Sequence, residues 1–255
     1  MDTSTYRELP APPDLRSDVM CTWVGHLGTV GAPYTEVVVP DGCVDLIWDG
    51  TRAFVAGPDT GPVPIAAPSG TTFVGLRLRP AHAPAVLGMP ADAVRDQRPD
   101  TSVVWGAPDA DVLGERLAAA RDPGAAADAL TAAARHRLRR AHRRDPLIDV
   151  VVRELAMGAR TGVGLVARLA DDLGVSERAL HRRCTAAVGY GPKVLDRVLR
   201  LRRALDAPAE LRHPGPGAIA AAVGYADQAH LSRECRRLTG RTPSDLFKTT
   251  GAAPA

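Results

Sequence analysis

The chain has 255 residues, 45% of them hydrophobic and 24% charged, enough for two domains of ordinary size that bury cores without cross-links. Its net charge of +3 is unevenly spread: residues 1 to 106 hold 7 Arg and 12 Asp+Glu, a balance of −5, while residues 107 to 255 hold 25 Lys+Arg and 17 Asp+Glu, a balance of +8. The acidic part is thereby excluded as a polyanion-binding surface, and the basic part is admitted as one.

Residues 1 to about 18 are proline-rich and charged, which predicts an extended lead-in. Short runs of strand character follow: Met20 to Val24, Thr35 to Val39, Cys43 to Trp48, Arg52 to Ala56 and Thr71 to Arg79, each bounded by Gly, Pro or Asp. Turns at that spacing between β-branched and aromatic runs predict an antiparallel β-barrel or sandwich over residues 1–106. From Ala107 the pattern becomes helical. Asp109 to Arg121 and Ala125 to Arg140 are expected to form a helical linker spanning 107–144, which ends in the basic run Arg135-His-Arg-Leu-Arg-Arg-Ala-His-Arg-Arg144, expected as a solvated face.

Asp145-Pro146 is a cap with proline at the first helical position and opens a helical domain over 145–250. Within it Leu165 to Leu173 is a helix, Ser176 caps a second helix to Ala187, Pro192 to Leu205 is a linking helix, and Ala207 to Gly217 is a loop. Ala218 to Gly224 is a short apolar helix. Asp227 then caps a basic helix that Gly240 and Pro243 stop, with Leu231, Cys235 and Leu238 along one face. The stretch Leu173 to Pro192 repeats the later one once an extra turn residue is allowed. Leu180 answers Leu231, Cys184 answers Cys235, Gly189 answers Gly240 and Pro192 answers Pro243. Each copy reads as helix, turn and second helix with a cationic face.

The second copy, Gly224-Tyr-Ala-Asp-Gln-Ala-His-Leu-Ser-Arg-Glu-Cys-Arg-Arg-Leu-Thr-Gly-Arg-Thr-Pro243, closely resembles the C-terminal signature of the AraC/XylS family of bacterial transcription regulators. The resemblance implies an α+β protein of two domains, with two helix-turn-helix units in an all-α C-terminal domain that binds double-stranded DNA. Three N-terminal stretches, Val39-Pro-Asp-Gly-Cys-Val-Asp-Leu-Ile-Trp48, Phe54 to Pro58 and Gly75 to Pro80, resemble an uncharacterised domain found ahead of such modules. By that analogy it is a cupin-like sensor barrel taking a small-molecule or protein signal. The family also implies RNA polymerase contact, and dimer contacts in the helical segment, so a homodimer.

Long donors on an exposed helical face suit the acceptors of the major groove. In the first unit Arg178, His181 and Arg182 lie at i, i+3, i+4 and are the base-contact candidates. In the second, the resemblance places Gln228, Ser232 and Arg233 against bases, while Arg236 and Arg237 suit phosphate. Arg183 is expected to pair with an acid. Cys184 and Cys235 stand where the family has a bulky apolar residue and are expected in the core.

For an N-terminal ligand the candidates are Asp45, Arg77, Arg79, Trp23 and Trp48, against the plainer expectation of an Asp–Arg pair tying two strands. Cys21 and Cys43 permit a thiol-sensing alternative. The cysteines form no CxxC pair, and His26 and His82 make no cluster, so neither metal nor cofactor is expected. No Ser/His/Asp set, phosphate loop or zinc-held cysteine cluster supports catalysis, whether alone or fused to the DNA-binding units. With neither a leader nor a membrane-spanning run, the protein is expected to be soluble and cytoplasmic.

Overall fold

Alternating apolar and polar residues in the first part of the chain form seven strands in the computed structural model, which describes residues 4–28, 37–65, 67–141, 144–158, 162, 164–212 and 215–249. They are β1 (Thr5–Pro10), β2 (Val19–His26), β3 (Val37–Val38), β4 (Val44–Trp48), β5 (Ala53–Ala56), β6 (Val63–Pro64) and β7 (Thr72–Leu78). Five make one antiparallel sheet in the order β1-β2-β7-β4-β5, and β3 pairs with β6 in a separate ribbon. Among the described residues β1 and β5 are the edges of the five-stranded sheet, and helices cover one of its faces. The expected lead-in is corrected: residues 5–10 pair with β2 from Thr5↔His26 to Pro10↔Cys21. Proline opposes helix but is tolerated at the end of an edge strand. Thr35 and Glu36, the start of an expected strand, lie outside the described residues, as do residues 1–3, His142, Arg143, His213 and Pro214.

Helices α1 (Ala83–Leu87), α2 (Thr101–Trp105), α3 (Ala107–Ala118) and α4 (Pro123–Arg140) follow. Leu46, Leu76 and Leu78 on one face of the sheet share a buried core with Leu87, Leu113 and Leu130 of these helices. Helices α1, α3 and α4 thus share one core with the sheet, each large side chain there contributing about 1.5–3 kcal/mol.

The opposite face carries the polar row Cys21, Arg77, Asp45, aligned across β2, β7 and β4. Arg77 donates from Nε and Nη2 to the two Asp45 carboxylate oxygens, both at 3.2 Å, and Trp23 Nε1 donates to Asp45 Oδ2 at 3.0 Å. The Trp23 ring packs against Gly75, where any Cβ would collide with the indole. Burial pushes the Asp45 carboxyl up, against the pull of Arg77.

The second unit is α5 (Pro146–Met157), α6 (Leu165–Asp172), α7 (Glu177–Val188), α8 (Pro192–Leu205), α9 (Ala209–Arg212), α10 (Pro216–Val223), α11 (Gln228–Thr239) and α12 (Pro243–Thr249). A single core runs through it, from Ile148 and Leu155 through Leu180, Leu195 and Leu201 to Leu231 and Leu246. Cys184 and Cys235 are fully buried there. The short helices α1, α2, α9 and α12 have no counterpart in the sequence reading. Among the described residues no helix is long and apolar enough to cross a membrane.

Removing one partner of a buried pair leaves an uncompensated charge, so Arg77→Met should destabilise the protein by about 3–5 kcal/mol in denaturant unfolding. The double variant Arg77→Met with Asp45→Leu should recover most of that loss. A single variant as stable as wild type would show that the pair does not hold the sheet.

Candidate nucleic-acid interface

Each helix-turn-helix unit is delimited by the capping chemistry expected of it. Ser176 Oγ accepts from the Ala179 N–H at 3.2 Å and opens α7, and Asp227 Oδ1 accepts from the His230 N–H at 2.6 Å and opens α11. Gly189 and Gly240 close the two helices in left-handed conformation. Because Leu180, Cys184 and Val188 face inward from α7, the i, i+3, i+4 set Arg178, His181 and Arg182 is exposed. Leu231, Cys235 and Leu238 do the same for α11, leaving Gln228, Arg233, Arg236 and Arg237 exposed and Ser232 half-buried. Arg178, Arg182, Arg233, Arg236 and Arg237 have no ion-pair partner among the described residues. His181 instead lies over Gly191 at the start of α8, in a groove of about 440 Å³ lined also by Arg178 and Lys193.

A second set of arginines, not singled out from sequence, supports the units. Arg197, Arg200 and Arg203 recur every three residues along α8 and all reach toward the second unit. Arg197 makes a bidentate pair with Glu234 of α11, Nε to Oε2 at 2.6 Å and Nη2 to Oε1 at 2.9 Å. Arg200 pairs with Asp196 and donates to the Gly224 carbonyl at 3.2 Å, with its guanidinium 5.4 Å from the Tyr225 ring centroid. Arg203 donates to the carbonyls of Leu155 and Val223. Glu234, the one acid in an otherwise basic helix, was the available sequence signal. In the first unit Arg183 donates to both oxygens of Asp145, which also accepts from the Leu147 N–H at 3.1 Å and so caps α5.

The basic run at the end of α4 is only in part the solvated face expected, with His136, Arg139 and Arg140 exposed and other members paired. Arg135 is paired with Asp14, Arg137 with Asp109 and the carbonyls of Val86 and Leu87, and Arg144 with Asp18 and His82. Asp14 and Asp18 of the acidic part, with Asp109 of α3, are close enough to neutralise these cations, so they tie the N-terminal unit together.

Of the N-terminal ligand candidates, the structure brings Trp23, Asp45 and Arg77 together and satisfies them with one another. Arg79 instead donates to the Arg16 carbonyl at 2.9 Å, and Trp48 packs on the opposite, helix-covered face. Burial pushes the Cys21 thiol up to about 12 and the Cys43 thiol well above its usual value. The described residues contain no group of three His, Cys, Asp or Glu that could hold a metal ion.

These two capped helices with free cations, set in one core, define a DNA-binding helix-turn-helix protein, and residues 169–249 match the family model described as a helix-turn-helix domain. This C-terminal part of the chain is a DNA-binding helix-turn-helix domain of the AraC type. Residues 7–100 match a domain of unknown function, DUF6597. No curated protein sequence matches the chain. Among solved structures it is similar to ToxT from Vibrio cholerae O395, with TM-score 0.47 and 10% identity over 90% of this chain and 97% of that one. It is similar also to unsaturated fatty acid bound ToxT from Vibrio cholerae strain SCE256, with TM-score 0.44 and 10% identity over 99% of this chain and 97% of that one.

Hydrogen bonds from Arg183 hold the Asp145 carboxyl below its ordinary range. A depressed carboxylate contributes stability that is full above the unfolded value of about 4 and is lost as pH falls through the folded value. Arg183→Met should therefore cost roughly 1 kcal/mol at neutral pH, with the difference from wild type shrinking as pH approaches about 2 in denaturant titrations. A difference independent of pH would contradict this role for the pair.

Proposed function

We propose that the chain is a transcription regulator that reads two successive major grooves, with α7 and α11 as the reading helices and α8 as the spacer. Arg178, His181 and Arg182 contact bases from the first helix, and Gln228, Ser232 and Arg233 from the second. Arginine suits the O6 and N7 of guanine and glutamine suits adenine. Arg236 and Arg237 meet phosphate. The observation that carries this reading is the contrast between arginines: those of α8, with Arg135 and Arg137 of α4, are consumed by acids and carbonyls, whereas five on the outer faces of α7 and α11 are exposed and unpaired among the described residues. Free cations on helices whose opposite faces are locked into a core are placed for an external polyanion. The N-terminal domain receives a small-molecule or protein signal and passes it to the helices by shifting a balance between states of different DNA affinity.

Binding measured across a set of related duplexes separates the roles. Arg233→Ala should cost about 1–3 kcal/mol and relax preference at one base position, while Arg236→Ala should weaken all sequences about equally and lower the salt slope by about one unit. An Arg233→Ala protein with unchanged sequence preference would remove α11 from the reading surface.

A further inference from the structure

The two helix-turn-helix units are repeats of one another, with Gly189 equivalent to Gly240, yet the N-terminal domain treats them differently. Gly189, the C-cap of α7 at φ +98°, is enclosed by three N-terminal groups. A Cβ on Gly189 would enter the Pro58 ring and would stand 3.5 Å from the Ala91 carbonyl oxygen. Arg95 donates from Nη1 to the Gly189 carbonyl at 3.0 Å. Only glycine meets both the left-handed backbone and this fit. Tyr190 continues into the domain, its hydroxyl 3.6 Å from where a Cβ on Gly42 would lie.

The walls of this socket are themselves joined. The Gly57 N–H donates to the Gln97 carbonyl at 3.1 Å, and the Asp96 N–H to the Pro58 carbonyl at 3.3 Å. Arg98 makes a bidentate pair with the buried Asp59 at 3.0 and 2.6 Å, and the Thr60 N–H donates to Asp96 Oδ1 at 2.7 Å. At the equivalent place in the second unit Gly240 is exposed, and the N-terminal atom nearest to a Cβ on it is Cγ of the exposed Pro62, at 4.0 Å.

From this asymmetry we infer that Pro58 and Arg95 are positioning residues for the first recognition helix alone, so that the N-terminal domain sets the angle at which Arg178, His181 and Arg182 are presented. The inference rests on the proposed reading of DNA by α7 and α11. A helix of this length is about 18 Å long, so a tilt of about 5° at its cap moves its first turn by about 1.5 Å, enough to break a bidentate base contact. The second helix is set from α8 through Arg197 and Glu234 and does not share this dependence.

The test uses the full chain as wild type, Arg95→Ala, Pro58→Gly and, as a control, Pro62→Gly. Affinity is measured for a selected two-part site and for versions with either half scrambled. Arg178→Ala and Arg233→Ala assign each half to its helix. In Arg95→Ala and Pro58→Gly, the penalty for scrambling the α7 half should fall by about 5-fold or more, and that for the α11 half should change by less than about 2-fold. Pro62→Gly should leave both penalties unchanged. Arg95 is exposed, so its truncation keeps the test valid if Pro58→Gly fails to fold. Equal changes in both halves, or none in either, would overturn the inference. A wild-type protein indifferent to scrambling of both halves would instead overturn the reading of DNA on which it rests.

Discussion

The reading surface depends on α8 being buried along most of its length. Leu195, Val198, Leu201 and Leu205 place its apolar face in the core shared by both helix-turn-helix units, so the units cannot move apart without opening that core. Its polar side is also committed. Asp196 and Arg200 are buried against each other, and Arg200 spends a donor on the Gly224 carbonyl in the turn before α11. Such a buried pair adds little net stability compared with apolar packing, but it admits few alternative geometries. The bidentate Arg197–Glu234 pair extends that geometric control to the middle of the second recognition helix.

Arginine serves three distinct purposes in this chain, and nearby acids decide which. Where carboxylates stand within reach, as Asp14 and Asp109 do for Arg135 and Arg137, the guanidinium joins elements of one domain. Where carbonyls stand at helix ends, as at Leu155 and Val223, Arg203 donates to them. On α7 and α11 the outward faces hold few acids, and the cations remain available. The acidic first part of the chain and its basic second part thus interact internally before any surplus positive charge is offered to a partner.

Much of the C-terminal domain was legible because its signals are local. Asp145, Ser176 and Asp227 cap the helices they were expected to cap, Gly189 and Gly240 end them, and Pro192 and Leu205 bound α8. The inward placement of Cys184 and Cys235 was expected from the helical period together with the family resemblance. What escaped the sequence depends on distant partners. The Thr5–Pro10 segment is a strand only because β2 offers it an edge. The basic run of α4 looks free until the fold brings Asp14, Asp18 and Asp109 to it. The split of the ligand candidates was half visible: alternation separates Trp48 from Asp45, but that Trp23 would lie on Gly75 and donate to Asp45 required the register of β2 on β7.

The most direct test is selection of bound DNA from a random pool by the full-length protein at moderate salt. The account predicts a two-part motif whose halves lie about one helical turn, roughly 34 Å, apart. Recovery of a single short element would contradict reading by both helices, and failure to enrich any sequence would contradict sequence-specific reading altogether.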